Sequence, residues 1–339
     1  MRTTPEQAGA TPLLEVRGLK RYFPAGGHFF GRSRKVKAVD GVDLTIGAGE
    51  TVGLVGESGC GKTTLGRLIA RLDDPTEGSI RFEGTEITGL SDAELKPVRR
   101  SIQIIFQNPD SALNRSKTVR SILMRALAKL AGLKGTEATE RLDEVRSEVV
   151  LSPRHLDMRP RQLSGGLKQR VAIANAFAGS PRIVVCDEPT SALDVSVQAA
   201  ILNLLADLQR EEQASYVVIS HDLGVVRYLS DRIAVMYLGR LMELGDAADV
   251  FAGPHHPYTE ALLSAVPSVD GDPPDRIRLH GEVPSAIDVP SGCVFHTRCP
   301  RALGATCAAT EPPLVEVEPG HQLRCHIPID ELRRLQHVD

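Results

Sequence analysis

The run Gly56-Glu57-Ser58-Gly59-Cys60-Gly61-Lys62-Thr63-Thr64 sets a glycine, four free positions and Gly-Lys-Thr in one short stretch. That spacing suits the holding of phosphate. Glycines let the backbone curl until successive N–H groups point at phosphate oxygens, and the helix that follows adds the positive end of its dipole. Lys62 would reach the β- and γ-phosphates of a nucleotide as a point charge, and the Thr63 hydroxyl would hold Mg²⁺. A glycine-rich turn that binds nothing is the competing reading, and Lys-Thr at this offset argues against it. A second set of chemical residues stands at Asp187-Glu188, at the carboxyl end of the apolar run Ile183-Val-Val-Cys186, where ligands bind in open α/β sheets. Asp187 would accept the Mg²⁺ water shell, and Glu188 would polarise a water attacking the γ-phosphate. The pair could instead cap a helix at Thr190-Ser191, a reading that is remote when both motifs occur together.

Further candidates follow the same logic. Tyr216-Val-Val-Ile-Ser-His221 reads as a buried strand ending in histidine. A lone histidine there is usually structural, but one crossover helix (197 to 212) separates it from the acidic pair, which puts it on a neighbouring strand within reach of a γ-phosphate. Leu163-Ser164-Gly165-Gly166 precedes a helix expected from near Leu167 to Ala178. A helix opening on Ser-Gly-Gly offers free N–H groups to an anion. Taken alone the signal is weak, since Ser-Gly-Gly also caps helices for structural reasons.

These residues need elements to position them. Residues 50 to 56 have the β-branched look of a short buried strand and 65 to 72 have helical spacing, so the phosphate loop joins strand to helix. Residues 13 to 23 read as an edge strand ending in Tyr22-Phe23, followed by a mobile Gly/Pro/basic loop through Lys37. Either aromatic could stack on adenine or fill a core edge. Residues 38 to 46 alternate at period two, and Gly47-Ala-Gly49 turns the chain into the loop-feeding strand. Further strands are expected at 78 to 84 and 101 to 107, the second running into the turn Asn108-Pro-Asp and placing Gln107 at a strand end. From Thr118 to Pro160 the pattern is helical, with Ile122, Leu123, Ala126, Leu127 and Leu130 on one side and a break at Gly132 to Gly135. No heptads are sustained.

Composition bounds the function. At 339 residues and 42% hydrophobic content the chain can bury one large core and a smaller appendage. Forty basic against forty-three acidic side chains leave a formal charge of -3, so no global field draws the protein to nucleic acid or anionic lipid. No apolar run approaches the ~18 residues needed to span a bilayer, and Met1 to Pro12 is polar, so neither leader nor anchor is expected. Work at a membrane would then need other subunits. Six cysteines are few, and Cys60 and Cys186 lie inside the nucleotide motifs, which suits a reducing cytosol better than a disulfide framework.

The phosphate loop, Gln107, Leu163-Ser-Gly-Gly, Asp187-Glu188, Ser191-Ala-Leu-Asp194 and His221 stand in the order and spacing of an ABC-transporter ATPase subunit, and the chain resembles that family over about residues 13 to 250. The resemblance implies an α/β fold: a P-loop ABC nucleotide-binding domain with a β-rich N-terminal layer, a parallel-sheet core and a helical subdomain at about 108–178. It also implies a head-to-tail dimer, with ATP between the phosphate loop of one copy and the Ser164-Gly165-Gly166 of the other. On that likeness Phe23, ahead of Tyr22, stacks on adenine. Gln107 senses Mg²⁺ and the γ-phosphate and couples to transmembrane partners, Glu188 is the catalytic base, and His221 holds the γ-phosphate. Two positions depart from the pattern: Leu167 replaces a usual glutamine and Asn175 a usual arginine. The expectation is a heterodimer whose two ATP sites differ in activity.

After an unstructured start at 1–12 and the ATPase domain at 13–250, residues 251–339 form a Pro/Cys-rich extension containing His256-Pro257-Tyr258-Thr259. This region, with the loop wording Gly-Glu-Ser-Gly-Cys-Gly-Lys, resembles the oligopeptide and dipeptide permease ATPases. The likeness implies peptide import with a second ATPase, two transmembrane permease subunits and an extracellular binding protein, at the cytoplasmic face of the membrane. Relatives that import nickel or sugars keep the solute open. Cys293, Cys299, Cys307 and Cys325 lack the two-residue gaps of common zinc ribbons, and the likeness to relatives with an iron–sulfur cluster puts a [4Fe-4S] centre ahead of zinc. Free thiols in a small Pro-rich fold are the alternative, His296, His321 and His326 are replacement ligands, and a redox-sensing role is compatible. A chromosome or repair ATPase would need a long coiled coil, and a translation-associated one a second phosphate loop; neither is in the sequence.

Overall fold

The computed structural model describes residues 11–25, 34–266 and 276–338. Most of the expected unstructured start, the centre of the basic loop before Lys37 and much of the Pro/Asp/Gly linker lie outside them. The strands, in chain order, are Leu14–Pro24 (β1), Lys35–Ile46 (β2), Thr51–Val55 (β3), Glu77–Phe82 (β4), Thr85–Glu86 (β5) and Ile102–Ile105 (β6). Ile183–Asp187 (β7), Ser215–Ile219 (β8), Arg232–Tyr237 (β9), Arg240–Asp246 (β10), Leu314–Glu318 (β11) and His321–Arg324 (β12) complete them. Between them lie helices Lys62–Ile69 (α1), Leu95–Ser101 (α2), Pro109–Ala112 (α3), Val119–Ala126 (α4), Gly135–Glu148 (α5), Gly165–Phe177 (α6), Val195–Glu212 (α7) and Leu223–Leu229 (α8). Four more, Ala247–Ala252 (α9), Pro257–Leu263 (α10), Ala305–Ala309 (α11) and Ile329–Gln336 (α12), belong to the C-terminal part.

A four-stranded antiparallel sheet has the order β2-β1-β4-β5. The expected edge strand β1 is therefore central: Leu14 pairs with Ile46 on one side and Phe82 on the other. Alternation of buried Leu14 and Val16 with more exposed neighbours tells which face is covered, but not how many strands pair alongside. The eight-stranded sheet runs β11-β12-β10-β9-β3-β8-β7-β6, with β9-β3-β8-β7-β6 parallel. Its central strands β3, β7 and β8 are buried at every residue, as parallel strands covered on both faces must be.

Period two divides those strands between two cores. Val185, Val217 and Ile219 face the small sheet and α1, packing with Leu14, Ile46, Leu54 and Leu65. Val184, Cys186, Tyr216 and Val218 face the helices, packing with Leu123, Leu142 and Phe177. Helices α3 to α6 occupy 109 to 177, and the break expected at Gly132 to Gly135 is where α4, prolonged by a π-helical turn over Leu127–Ala131, stops at Gly132 with φ 76°. Helix α2 was not legible in the sequence pattern.

The chain beyond residue 250 joins the same framework. Strand β12 pairs antiparallel with β10, Glu243 opposite Leu323, and Tyr258, Val294 and Phe295 share a third core with Val55, Val235 and Tyr237. The last strands of the C-terminal part thus extend the sheet that carries the phosphate loop. Among the described residues no helix is long and apolar enough to cross a membrane.

Candidate active site

The phosphate loop links β3 to α1, as its spacing requires. Gly56 has φ 147° and a Cβ there would lie 2.1 Å from the Met236 carbonyl oxygen; Gly61 has φ 107° and a Cβ would lie 2.0 Å from that of Ala38. Both positions admit glycine for reasons of backbone angle and of space. Ser58, Gly59 and Thr63 are exposed, whereas Cys60 and Lys62 are buried. Lys62 Nζ donates to the carbonyl oxygens of Gly56 (2.7 Å) and Glu57 (2.9 Å), which holds the cation inside the curl of the loop. Burial pushes the Cys60 thiol up, so it acts as a small apolar filler. Thr64, half-buried, follows in the first turn of α1.

Two parallel strands bring the acidic pair to this loop. Thr63 Oγ1 donates to Asp187 Oδ1 at 3.0 Å. Burial pushes the Asp187 carboxyl above the ordinary aspartate value, opposed by that hydroxyl and by Lys62, with Glu188 adding to the rise. Glu188 follows at φ 47°, a left-handed conformation costly for a residue with a Cβ, and its N–H donates to the Ile219 carbonyl at 2.9 Å. Its carboxylate meets Gln107 Nε2 at 2.8 Å through Oε2 and His221 Nδ1 at 3.2 Å through Oε1. Gln107 lies just beyond β6 and also reaches Ser191 Oγ at 3.3 Å. Four sequence candidates, Gln107, Asp187, Glu188 and His221, thus meet at the carboxyl ends of β6, β7 and β8.

Ser164, Gly165 and Gly166 open α6 beside that corner, with Gly165 lining a small cleft shared with Gln107 and Pro189. Ser164 caps α6, accepting from Leu167 N–H at 3.4 Å, so the helix begins two residues earlier than its sequence suggests. A Cβ on Gly166 would meet Val197 at 2.5 Å and one on Gly165 would meet Leu193 at 3.3 Å; the packing neighbours of the motif are those side chains, not the phosphate loop. Leu167 packs against the helical core, which accounts for an apolar residue there. Asn175 lines a cavity of about 340 Å³ with Gln103, Lys117, Arg125 and Lys129, away from the acidic pair.

At the nucleoside end, β2 runs against the loop, with Gly239 N–H donating to Cys60 O and Asp40 N–H to Gly239 O. Phe23 pairs with Val36 on that strand and carries the Arg21 guanidinium 4.6 Å from its ring centroid. The Tyr22 hydroxyl donates to Asp40, and burial followed by that bond pushes its phenol well up. Tyr22 is committed to the framework, which leaves Phe23 as the freer ring.

Sequence reasoning missed two residues at the loop. Glu57 N–H donates to the Tyr258 hydroxyl at 2.7 Å, and the Glu57 carboxylate accepts two bonds from Arg298, at 2.5 and 3.0 Å. Both partners come from the C-terminal part, and no local spacing announces a contact across 241 positions.

The four C-terminal thiols lie near enough for Cys293, Cys307 and Cys325 each to act on the charge of Cys299, but they are not drawn together as the ligands of an iron–sulfur centre. All are free, and among the described residues no three His, Cys, Asp or Glu side chains are grouped to hold a metal ion. Cys293 and Cys307 pack in the third core, and Cys325 packs in a small separate one with Leu323, Ile327 and Leu332. Cys307 Sγ accepts from Leu303 N–H and Cys325 Sγ from Ile327 N–H, each at 3.4 Å. Burial, with the neighbouring cysteines adding to it, pushes Cys299 up to about 12 and Cys325 up to about 11, so without a metal both stay thiols. Nor do the replacement histidines converge: His321 Nε2 is 2.8 Å from Glu243, His296 Nδ1 2.8 Å from the Cys293 carbonyl and His326 Nε2 2.9 Å from that of Thr310.

Comparison with known proteins matches this geometry. Residues 39–191 fit the family model described as ABC transporter, and residues 242–307 fit the one described as oligopeptide/dipeptide transporter, C-terminal region. The oligopeptide transport ATP-binding protein AppF of Bacillus subtilis (strain 168) is 46% identical over 94% of this chain and 98% of its own. YkfD of the same strain is 47% identical over 93% and 95%. A dimeric structure of the ATP-binding cassette MJ0796, in a post-hydrolysis state with ADP and Pi, superposes with TM-score 0.62 at 32% identity, covering 69% of this chain and 98% of that one. With a phosphate loop facing Asp187 and Glu188 and a C-terminal part carrying the second family's pattern, the chain belongs to the ATP-binding subunits of ABC transporters, in their oligopeptide/dipeptide branch.

Proposed function

We propose that this chain binds and hydrolyses ATP to power the import of peptides. The observation that carries the reading is the meeting of Glu188, Gln107 and His221 beside an Asp187 already bonded to Thr63. Lys62 would turn from its two carbonyl partners to the β- and γ-phosphates. Glu188 would orient and deprotonate the attacking water, while Gln107 and His221 fix its carboxylate and meet the γ-phosphate. Thr63, Asp187 and Gln107 offer the all-oxygen donor set that suits Mg²⁺, which when bound would neutralise charge on the phosphates. Phe23 would stack on adenine.

Ser164-Gly166 packs beside Leu193 and Val197, so its anion-binding helix end is free to serve the phosphate loop of a second cassette. The dimeric cassette MJ0796 supports that arrangement. We take the partner to be a different ATPase polypeptide, from the resemblance to paired permease ATPases. The reasons for unequal sites offered by Leu167 and Asn175 lose force, since the first packs in the core and the second lines the distant cavity. That cavity, with Lys117, Arg125 and Lys129 on its walls, would seat a cytoplasmic segment of one of two permease subunits, placing the chain at the inner face of the membrane. An extracellular binding protein would deliver the peptide.

No step uses the C-terminal cysteines. The four thiols are near enough to act on one another's charge, and iron and sulfide analysis of anaerobically prepared protein tests for a metal centre there. The decisive experiment for the function reconstitutes the chain with its transporter subunits. Lys62→Ala should abolish ATP binding, and Glu188→Gln should bind ATP without turning it over; unchanged peptide accumulation in either variant would refute the assignment.

A further inference from the structure

We propose that Arg298 and Tyr258 are positioning residues that hold the phosphate loop in its ATP-receiving shape through Glu57. The proposal rests on the ATPase reading above and adds a role for the C-terminal part within that site.

Glu57 follows Gly56 in the loop, and the residue is held through its carbonyl, its N–H and its carboxylate. Its carbonyl oxygen, with that of Gly56, accepts from Lys62 Nζ. Its N–H is spent on the Tyr258 hydroxyl, so that amide is not part of the anion cradle. Its carboxylate is held by both terminal nitrogens of Arg298, a planar fork that fixes direction as well as distance. Rotation of the Gly56–Glu57 peptide, whose N–H Tyr258 holds, would swing the Gly56 carbonyl away from Lys62, and a shift of Glu57 would carry its own carbonyl with it.

The grip has a rigid base. The Arg298 side chain is 7% exposed and lies 6.0 Å from the Tyr237 ring centroid, with Nη1 3.4 Å from the Tyr237 hydroxyl. Tyr237 ends β9, the direct neighbour of the loop-feeding strand β3. Its ring packs 4.8 Å from Tyr258 and 5.2 Å from Phe295, centroid to centroid, and those two are 5.2 Å apart. The three aromatics therefore tie α10 and the segment bearing Arg298 to the edge of the phosphate site.

Charge supplies the second half of the argument. A carboxylate inside a phosphate-binding loop would repel the triphosphate it is meant to receive. Arg298 neutralises Glu57 at short range and draws its side chain away from the exposed residues Ser58, Gly59 and Thr63. Loss of Arg298 leaves a partly buried carboxylate unpaired beside incoming phosphates; loss of the Tyr258 hydroxyl leaves the Glu57 N–H without its acceptor.

The test measures binding of a fluorescent ATP analogue to the purified full-length chain, then KM and kcat for ATP in the assembled transporter. Arg298→Ala should weaken ATP binding and raise KM roughly tenfold while kcat at saturating ATP stays within about twofold, the pattern of lost ground-state positioning. Arg298→Lys, which keeps charge without the fork, should fall between, and Tyr258→Phe should raise KM about threefold. Adding Glu57→Gln to Arg298→Ala should restore most of the affinity, because the unpaired charge is gone; a variant harmed only in folding would gain nothing from that second change. Thermal melts accompany each variant, and if Arg298→Ala unfolds, Arg298→Lys and Tyr258→Phe carry the test. Parental affinity in the folded variants, a fall in kcat at constant KM, or no rescue by Glu57→Gln would overturn the proposal. Failure of the parent itself to bind ATP would refute the ATPase reading instead.

Discussion

Glu188 and Glu57 belong to the same phosphate site and are held in opposite ways. Glu188 sits at a strained turn among polar side chains, with an exposed neighbour, His221, and an amide, Gln107, that can each be exchanged for water or ligand. Glu57 is locked to an almost wholly buried Arg298 resting against Tyr237, whose ring packs with Tyr258 and Phe295. The first environment holds each carboxylate oxygen by a partner that water or ligand can replace; the second ties both oxygens to one buried guanidinium fork. One site therefore contains a corner built for chemistry and a corner built for shape, and they fail differently.

The largest expected effect breaks the first corner alone. Glu188→Gln should lower ATP turnover about 10³-fold, the usual yield of a well-placed general base, in a single-turnover assay with ATP binding retained. Its melting curve should match the parent, because partly exposed pairs such as Glu188–His221 contribute only about 0–1 kcal/mol. Next comes Phe295→Ala, which empties the middle of the second corner. Phe295 is 0% exposed and touches Tyr237, Tyr258 and His256, so truncation should cost about 3–4 kcal/mol in urea unfolding. Turnover per folded molecule at saturating ATP should change far less. If Phe295→Ala slows turnover as much as Glu188→Gln does, the two corners are not separable.

That division also decides what the sequence could tell. Gln107, Asp187, Glu188 and His221 were legible because each stands at the carboxyl end of a parallel strand, and strand, turn and helix alternate with a readable period. Lys62 and Thr63 were legible because a phosphate loop is local in sequence. Arg298 and Tyr258 were not, since their partner is reached only when β12 adds to β10 and the third core closes on Tyr237. The pattern of 251–339, short on regular elements, suggested an appendage, whereas its strands complete the main sheet. The four cysteines are a related case. Clustering in sequence is matched by nearness in space, but it does not fix where side chains point, and the apolar packing of these thiols is not readable from their spacing.

The smallest effect sharpens the comparison through pH. His256 is 1% exposed, and its Nδ1 accepts the Tyr258 N–H at 3.0 Å, capping α10. Its backbone N–H donates to Glu243 Oε2 at 2.9 Å, while Glu243 Oε1 meets His321 Nε2 at 2.8 Å. Burial pushes the His256 imidazolium down to about 4, with the Glu243 charge opposing that fall; the neighbouring His255 is lowered by burial as well. A proton on Nδ1 would also face the Tyr258 N–H and remove the cap. The unfolded chain, with the ordinary value of 6.5, binds this proton more readily than the native one, so stability is full above about pH 6.5 and falls as pH drops towards 4. By pH 5 the loss attributable to His256 is about 2 kcal/mol. His256→Asn retains a side-chain oxygen able to cap the helix but has no proton to gain. Urea titrations at pH 7 and pH 5 should therefore show a smaller acid penalty in His256→Asn by about that amount, whereas Glu188→Gln keeps the full penalty. Equal penalties in His256→Asn and the parent would place the acid-sensitive group elsewhere and remove pH from the contrast between the two corners.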